Sequence, residues 1–263
     1  MELKWKISRG LIEKVFFNGV NLIVPWGFET SDSYSFYSQE TKGNRCSEAQ
    51  YMFENDERKN TGKIEVKMQE WSWKLDIEET ISENKIVRKH TLVTQKNSYF
   101  FDYVQRYRFD KNYFYLWKID GKEIKHTNSN IYYQYKAQQI ELLGDHIKVI
   151  IDVLGATTSE VFEPYMYIRD YKDEWVVHVR LWPKKRHKEV LKLCTFWYNK
   201  AIPQVLADFF LSFSFIKKYT WVRWEVRPYT RPMSLLSPCS YPEVLLQKWE
   251  ILFLESQITF LEI

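Results

Sequence analysis

The chain is poor in the residues from which most signatures of chemistry are built: eight glycines, eight prolines, five histidines and three cysteines in 263 residues. Cys46, Cys194 and Cys239 are odd in number and widely spaced, with no CxxC and no paired histidine. That pattern argues against a disulfide framework and against a zinc site, and it fits a reducing cytoplasm. No GxGxxG follows a strand-like run and no GxxxxGK[ST] occurs, so dinucleotide and P-loop sites have no support. GxSxG and HExxH are missing as well, which disfavours α/β-hydrolases and zincins. No cofactor and no metal is expected. Uninterrupted apolar runs of the roughly 18 residues that a spanning helix needs are also lacking. The nearest, 201–216, is broken by Pro203, Gln204 and Asp208, and MELKWKISRG carries no apolar h-region, so neither a membrane segment nor a secretory signal is expected. Charge of one sign is scarce too: 38 Lys+Arg against 34 Asp+Glu leave +4, without a basic stripe, which is too even a balance for a dedicated nucleic-acid binder. The cluster PKKRHK (Pro183–Lys188) reads as an exposed turn between strands.

What the chain has is aromatic bulk, with 11 Trp, 18 Tyr and 17 Phe, and 45 % hydrophobic residues, enough to build a sizeable core. Period-2 alternation dominates. Asn18-Gly19 sits between Leu11–Phe17 and Val20–Pro25, and this pair accepts the two positive φ values of a type I′ hairpin turn. Asp120-Gly121, Gly144-Asp145 and the segment Ser82–Lys85 mark three further hairpins. The prediction is a single all-β domain over 1–263, a large antiparallel β-sandwich with one or two short helices. The convincing helix candidate is Ile202–Ile216, with Pro203 in its first turn. The polar stretch Thr30–Thr61, with ENDERKN, reads as a long loop or short edge elements, and the proline-rich segment Arg227–Glu243 as an ordered irregular crossing.

Strand faces follow from the alternation. In 67–81, Trp71, Trp73, Leu75 and Ile77 make an apolar face opposite Glu70, Ser72, Lys74, Asp76 and Glu78. In 101–110, Phe101, Tyr103, Tyr107 and Phe109 oppose Asp102, Arg106, Arg108 and Asp110. The polar faces mix acids, bases and rings: Glu174, His178, Arg180 and Trp182 on one strand, Trp221, Arg223, Glu225 and Arg227 on another, and Arg88 with His90 on a third. On a shared sheet these supply guanidinium donors for hydroxyls or a carboxylate, an imidazole that titrates near neutrality, and indoles that stack on sugar faces. The same alternation is also the ordinary pattern of a solvated face laced with cross-strand ion pairs. His178, within VVHVRLW, is the candidate acid and Glu225, flanked by Arg223 and Arg227, the candidate base. Arg106, Arg180, Arg223, Trp182, Trp221 and His90 are the candidate substrate-binding residues.

The opening ISRGLIEKVFFNGVNLIVP resembles the first hairpin of galactose mutarotase-like supersandwich domains. KIVRKHTLVTQKNSYFFDYVQRYRF is similar to their central region, with its Arg-aromatic pairs Arg106-Tyr107 and Arg108-Phe109. The resemblance spans about the first 110 residues. It implies carbohydrate as the ligand class, since the superfamily includes aldose epimerases, polysaccharide lyases and glycosidase sandwich domains. The epimerase pattern of an Asn-His pair followed by an aromatic and Asn is not found, which leaves His90 or His178 for the equivalent place and Glu225 for the base. Three functions are therefore open. The first is a sugar- or oligosaccharide-binding sandwich, epimerase-like, lyase-like or catalytically silent. The second is a lipocalin-like barrel holding an apolar small molecule, and the third an interaction sandwich with no pocket. Neither substrate nor oligomeric state is legible.

Overall fold

Turn chemistry and alternation generate the strands. The computed structural model describes residues 2–31, 36–40, 48–67, 72–100, 102–125, 132–135, 137–158, 162–171, 173–183, 201–203, 205–206, 209, 212–213, 221–222, 230–234 and 244–263. The chain enters through β1 (Leu3–Ser8), β2 (Leu11–Phe17), β3 (Val20–Asn21) and β4 (Ile23–Val24), followed by β5 (Phe28–Ser31), β6 (Phe36–Ser38), β7 (Glu48–Asn55) and β8 (Lys59–Lys67). Long strands β9 (Ser72–Ser82) and β10 (Lys85–Thr94) precede β11 (Ser98–Phe100), β12 (Asp102–Asp110), β13 (Leu116–Ile119), β14 (Lys122–Lys125) and β15 (Tyr132–Tyr135). Then come β16 (Gln139–Leu143), β17 (Ile147–Ala156), β18 (Phe162–Tyr171) and β19 (Glu174–Pro183). The short β20 (Ala201–Pro203), β21 (Trp221–Val222), β22 (Thr230–Ser234) and β23 (Val244–Leu246) lead to β24 (Ile251–Glu262).

The four predicted hairpins are present. Asn18-Gly19 and Asp120-Gly121 both take positive φ, as the type I′ geometry requires, at 50° and 85° and at 46° and 70°. A fifth tight turn at Arg9-Gly10, φ 52° and 73°, joins β1 to β2. The stretch read as loop or edge elements holds the edge strand β7 and the start of β8, which pair as a hairpin that continues to Lys67. Its turn is ENDERKN, where the Asp56 carboxylate accepts the N–H groups of Arg58 and Lys59 at 2.7 Å each. β7 escaped notice because, as the outermost strand of its sheet, it stays largely exposed on both faces and its alternation is diluted. The helix predicted over Ile202–Ile216 begins instead in strand β20, and among its described residues only Val205, Leu206 and Phe209 are helical. Of the residues expected to face inward, Trp71 and Phe101 lie outside the described residues.

Two large antiparallel sheets result. One has nine strands in the order β14-β13-β16-β17-β24-β10-β9-β8-β7, and the other seven, β15-β18-β19-β12-β5-β6 with β4 also paired to β12. Both are open sheets, each with an outermost strand at either end, so among the described strands no closed barrel forms and the lipocalin-like reading is overturned. The C-terminal strand β24 lies in the middle of the larger sheet, between β17 and β10. Aromatic rings weld the layers: Trp73 meets Phe28 at 6.1 Å and Tyr37 at 5.9 Å, and Trp117 meets Trp175 at 5.8 Å, all edge-on. The predicted inward residues Trp73, Leu75, Ile77, Tyr103, Tyr107 and Phe109 are all buried in one continuous cluster.

Inside that cluster lies an ionic network. Glu79 is the next inward position after Trp73, Leu75 and Ile77, and it stands directly opposite Arg88 on β10. Arg88 Nε donates to Glu79 Oε1 at 2.6 Å, and Asn60 Nδ2 donates to Oε2 at 2.7 Å. The same guanidinium crosses the sandwich, donating to the carbonyl of Gly27 at 3.1 Å and to that of Arg106 at 3.3 Å. His90 completes the network, with Nδ1 2.6 Å from the Tyr103 hydroxyl and Nε2 3.2 Å from Glu79 Oε1. Burial alone would raise the Glu79 carboxyl, but the Arg88 charge and the His90 hydrogen bond outweigh it and hold the group at about 2. Burial lowers His90 to about 4 despite Glu79.

Removing one member strands the other in an apolar interior, so Arg88→Met is expected to lower unfolding stability by about 3–5 kcal/mol in urea titrations. Both Glu79 and His90 have folded pKa values depressed below 4.5 and 6.5, so the unfolded chain binds more protons in acid. Their contribution is complete above about pH 6.5 and is lost as pH falls, first through His90 to about 4 and then through Glu79 to about 2. Replacing His90 by Gln should flatten the upper part of that slope in the urea midpoint against pH.

Candidate active site on the seven-stranded sheet

The outer face of the seven-stranded sheet carries the second polar cluster. β12 presents Asp102, Arg106 and Arg108 outward because Tyr103, Tyr107 and Phe109 are drawn into the core. β19 does the same with Glu174, His178 and Arg180, since Trp175, Val177, Val179 and Leu181 point inward. Register sets the neighbours: Arg106 stands opposite His178, which stands opposite Tyr167 on β18, and Val104 stands opposite both Arg180 and Glu29.

Although outward-facing, the cluster is not wet: Glu29, Asp102, Glu174, His178 and Arg180 are all under one-tenth exposed. Carboxylates hold the guanidinium groups. Arg106 Nη1 lies 2.7 Å from Glu29 Oε1 and 2.9 Å from Glu40 Oε2, and Arg180 pairs with Asp102. Arg108 forks onto Glu174 through Nε at 2.7 Å and Nη2 at 2.8 Å. The imidazole of His178 packs edge-on against Tyr167 at 4.3 Å, and Arg180 lies over that same ring at 5.3 Å. Nε2 of His178 is buried, 3.7 Å from Glu29 Oε2, and among the described residues it makes no hydrogen bond. Burial, reinforced by the charges of Arg106, Arg180 and Arg169, pushes His178 well below the usual imidazole range, so the ring is neutral at pH 7. A neutral imidazole carries one N–H and one lone-pair nitrogen, so the ring can take a proton at whichever nitrogen lacks the hydrogen.

The sequence-predicted residues thus divide. His178, Arg106 and Arg180 are brought together. Trp182 occupies the position opposite Glu163, two residues beyond Arg180 on β19. His90 is not at this face: it is wholly buried between the sheets, where its two nitrogens serve Tyr103 and Glu79. It fell on one strand face with Arg88, as expected, but that face is the inner one. Trp221 belongs to the separate β20-β22-β21 sheet, and Arg223 and Glu225 lie outside the described residues. Glu29 and Glu40 were missed because both lie in or beside the Ser/Thr-rich stretch read as loop. The available signal was the short alternation Phe28-in, Glu29-out, Thr30-in, with Phe28 and Thr30 both fully buried. Among the described residues no cluster of three His, Cys, Asp or Glu side chains is placed to hold a metal ion.

Comparison with solved structures identifies the architecture. A candidate aldose 1-epimerase from Escherichia coli K12 matches over 99 % of this chain and 96 % of its own, with a TM-score of 0.53 and 8 % identity. A galactose mutarotase-related enzyme from Lactobacillus acidophilus matches over 98 % and 94 %, with a TM-score of 0.55 and 8 % identity. The chain has the galactose mutarotase-like fold along nearly its whole length, well beyond the first 110 residues that carry the resemblance in sequence. Neither a known family profile nor a curated protein sequence matches it.

The electrostatics predict that His178 shows no ring protonation between about pH 6 and pH 8 in two-dimensional ¹⁵N imidazole spectra. Arg106→Met, which removes one of the charges that disfavour imidazolium, should move its titration upward. An unshifted midpoint in that variant would exclude Arg106 as a cause.

Proposed function

We propose that the outer face of the seven-stranded sheet binds a sugar or oligosaccharide and interconverts anomers by proton transfer, as an aldose-epimerase-type isomerase. The observation that carries this reading is the neutral, buried His178 with its Nε2 open beside Glu29, flanked by Arg106 and Arg180. It sits on a fold shared with proteins described as aldose 1-epimerase and mutarotase-related.

In the proposed step His178 takes the proton of the anomeric hydroxyl while the bond from C1 to the ring oxygen breaks and C1=O forms. A carboxylic acid returns a proton to the ring oxygen, and Glu225 is the candidate for that part. Rotation about C1–C2 and the reverse transfers close the ring as the other anomer. Because the imidazole rests neutral, His178 starts the cycle as acceptor, the reverse of the acid role expected from sequence, and the step then requires its carboxyl partner to start protonated. Arg106 and Arg180, fixed by Glu29 and Asp102, orient hydroxyls in a site where water is largely excluded.

The protein is expected to accelerate exchange between the anomers of D-glucose or D-galactose, followed by NMR. His178→Ala should lower the rate about 100-fold or more, and Arg180→Met should act mainly on KM. If no monosaccharide is turned over but oligosaccharides change the tryptophan fluorescence, binding without catalysis is the correct description. If neither effect is seen, the carbohydrate reading fails.

A further inference from the structure

We propose that Glu40 is a positioning residue for this face: its carboxyl, anchored on the Gly27 amide, yokes Arg106 to Arg108 and governs how Arg106 is held beside His178. The inference rests on the sugar-site reading for its functional consequence, while its structural content stands on geometry alone. Glu40 follows β6 and its side chain is 6 % exposed. Oε1 accepts the N–H of Gly27 at 3.1 Å, while Oε2 lies 2.9 Å from Arg106 Nη1 and 3.3 Å from Arg108 Nη1. One carboxyl therefore joins two arginines that otherwise answer to different partners, Glu29 and Glu174.

The anchor is itself held from behind. The Gly27 carbonyl receives Arg88 of the opposite sheet at 3.1 Å and the N–H of Arg106 at 3.0 Å. Any Cβ at Gly27 would come within 2.9 Å of Glu40 Cγ and 3.3 Å of Gln39 Cβ, so the missing side chain is what admits the carboxyl. The buried Glu79–Arg88 pair thus reaches the outer face through one peptide group and one carboxyl.

The charged groups acting on Glu40 are Glu29 on β5, Arg106 and Arg108 on β12 and Glu174 on β19, with His178 one strand beyond, opposite Arg106. Arg106 Nη1 faces two carboxylates at once, and three acids crowd two guanidinium groups. Burial raises the Glu40 carboxyl to about 7; Arg106 and Arg108 oppose the rise, and Glu29 and Glu174 reinforce it. Since His178 is neutral in this range, the charge of the face changes near neutral pH through Glu40. Above the midpoint Arg106 is clamped between two carboxylates; below it one clamp is a neutral acid and Arg106 is held less firmly beside His178.

The test is a pH titration of protein labelled with ¹³C at glutamate carboxyls and ¹⁵N at arginine side chains, without any sugar. The expected result is one carboxyl with a midpoint near 7, absent in Glu40→Gln, and Arg106 side-chain signals that follow the same midpoint in wild type but not in the variant. A Glu40 carboxyl titrating in the ordinary range, or Arg106 signals indifferent to it, overturns the proposal, and the wild-type titration decides this even if Glu40→Gln does not fold. In a second arm, exchange of D-galactose anomers should have a pH profile with a limb near that midpoint, flattened in Glu40→Gln. At high pH the variant's kcat/KM should fall about tenfold, the worth of one charge-assisted hydrogen bond. A wild type that exchanges no anomers counts against the sugar reading alone and leaves the Glu40 titration to stand or fall by itself.

Discussion

A single guanidinium inside the sandwich supports much of what lies outside it. Arg88 is wholly buried, neutralised by Glu79 on the neighbouring strand, and its remaining donors cross the layer to the carbonyls of Gly27 and Arg106. A buried charge pair of this kind does not add stability over well-packed apolar residues of the same size, because desolvation offsets the attraction. It does impose a register. Arg88 ties the Gly27 and Arg106 backbone to the opposite sheet, while burial of Tyr107 at the next position turns the Arg106 side chain outward, opposite His178.

The aromatic packing supplies the adhesion that this polar network lacks. Trp73, Phe28, Tyr37 and Tyr103 interlock in one group of rings, while Trp26, Tyr107 and Phe109 interlock in another, with the Arg88 guanidinium over the Tyr107 ring. Full burial of each large ring contributes roughly 1.5–3 kcal/mol by area, about two to three times the net worth of a single hydrogen bond. Adhesion is thus general and orientation specific, which is why the loss of a ring and the loss of Arg88 have different consequences. The first loosens the core; the second leaves Glu79 buried without its partner and removes the contact that fixes the site strand from behind.

The outer cluster has the opposite character. Its acids and bases are paired almost one to one, in keeping with a chain whose charges nearly cancel, and burial keeps His178, and part of Glu40, neutral near pH 7. An anionic face would attract cations and a cationic one polyanions; a compensated, water-poor face with fixed donors and acceptors suits hydroxyl-rich ligands.

The β class, the turns at Asn18-Gly19 and Asp120-Gly121, and the inward face of β12 were determined by local rules, since a period of two and a positive φ act over a few residues. The same rule put Arg106, His178 and Arg180 on polar faces. It did not tell an inner polar face from an outer one, and so His90 was assigned to the wrong side of its sheet: a strand shows which residues share a face, and only its packing partner shows which face is covered. Glu79 illustrates the limit. Its place as the inward residue after Trp73, Leu75 and Ile77 is written in the alternation, but its ionisation depends on Arg88, nine residues away, and on Asn60, nineteen away, which only strand pairing brings within reach. Glu40 depends still more on the fold, because its partners come from Gly27 and from a strand some seventy residues on. Pattern along the chain decided what each residue can do, and tertiary structure decided its partner, because burial and charge act through space and not along the sequence.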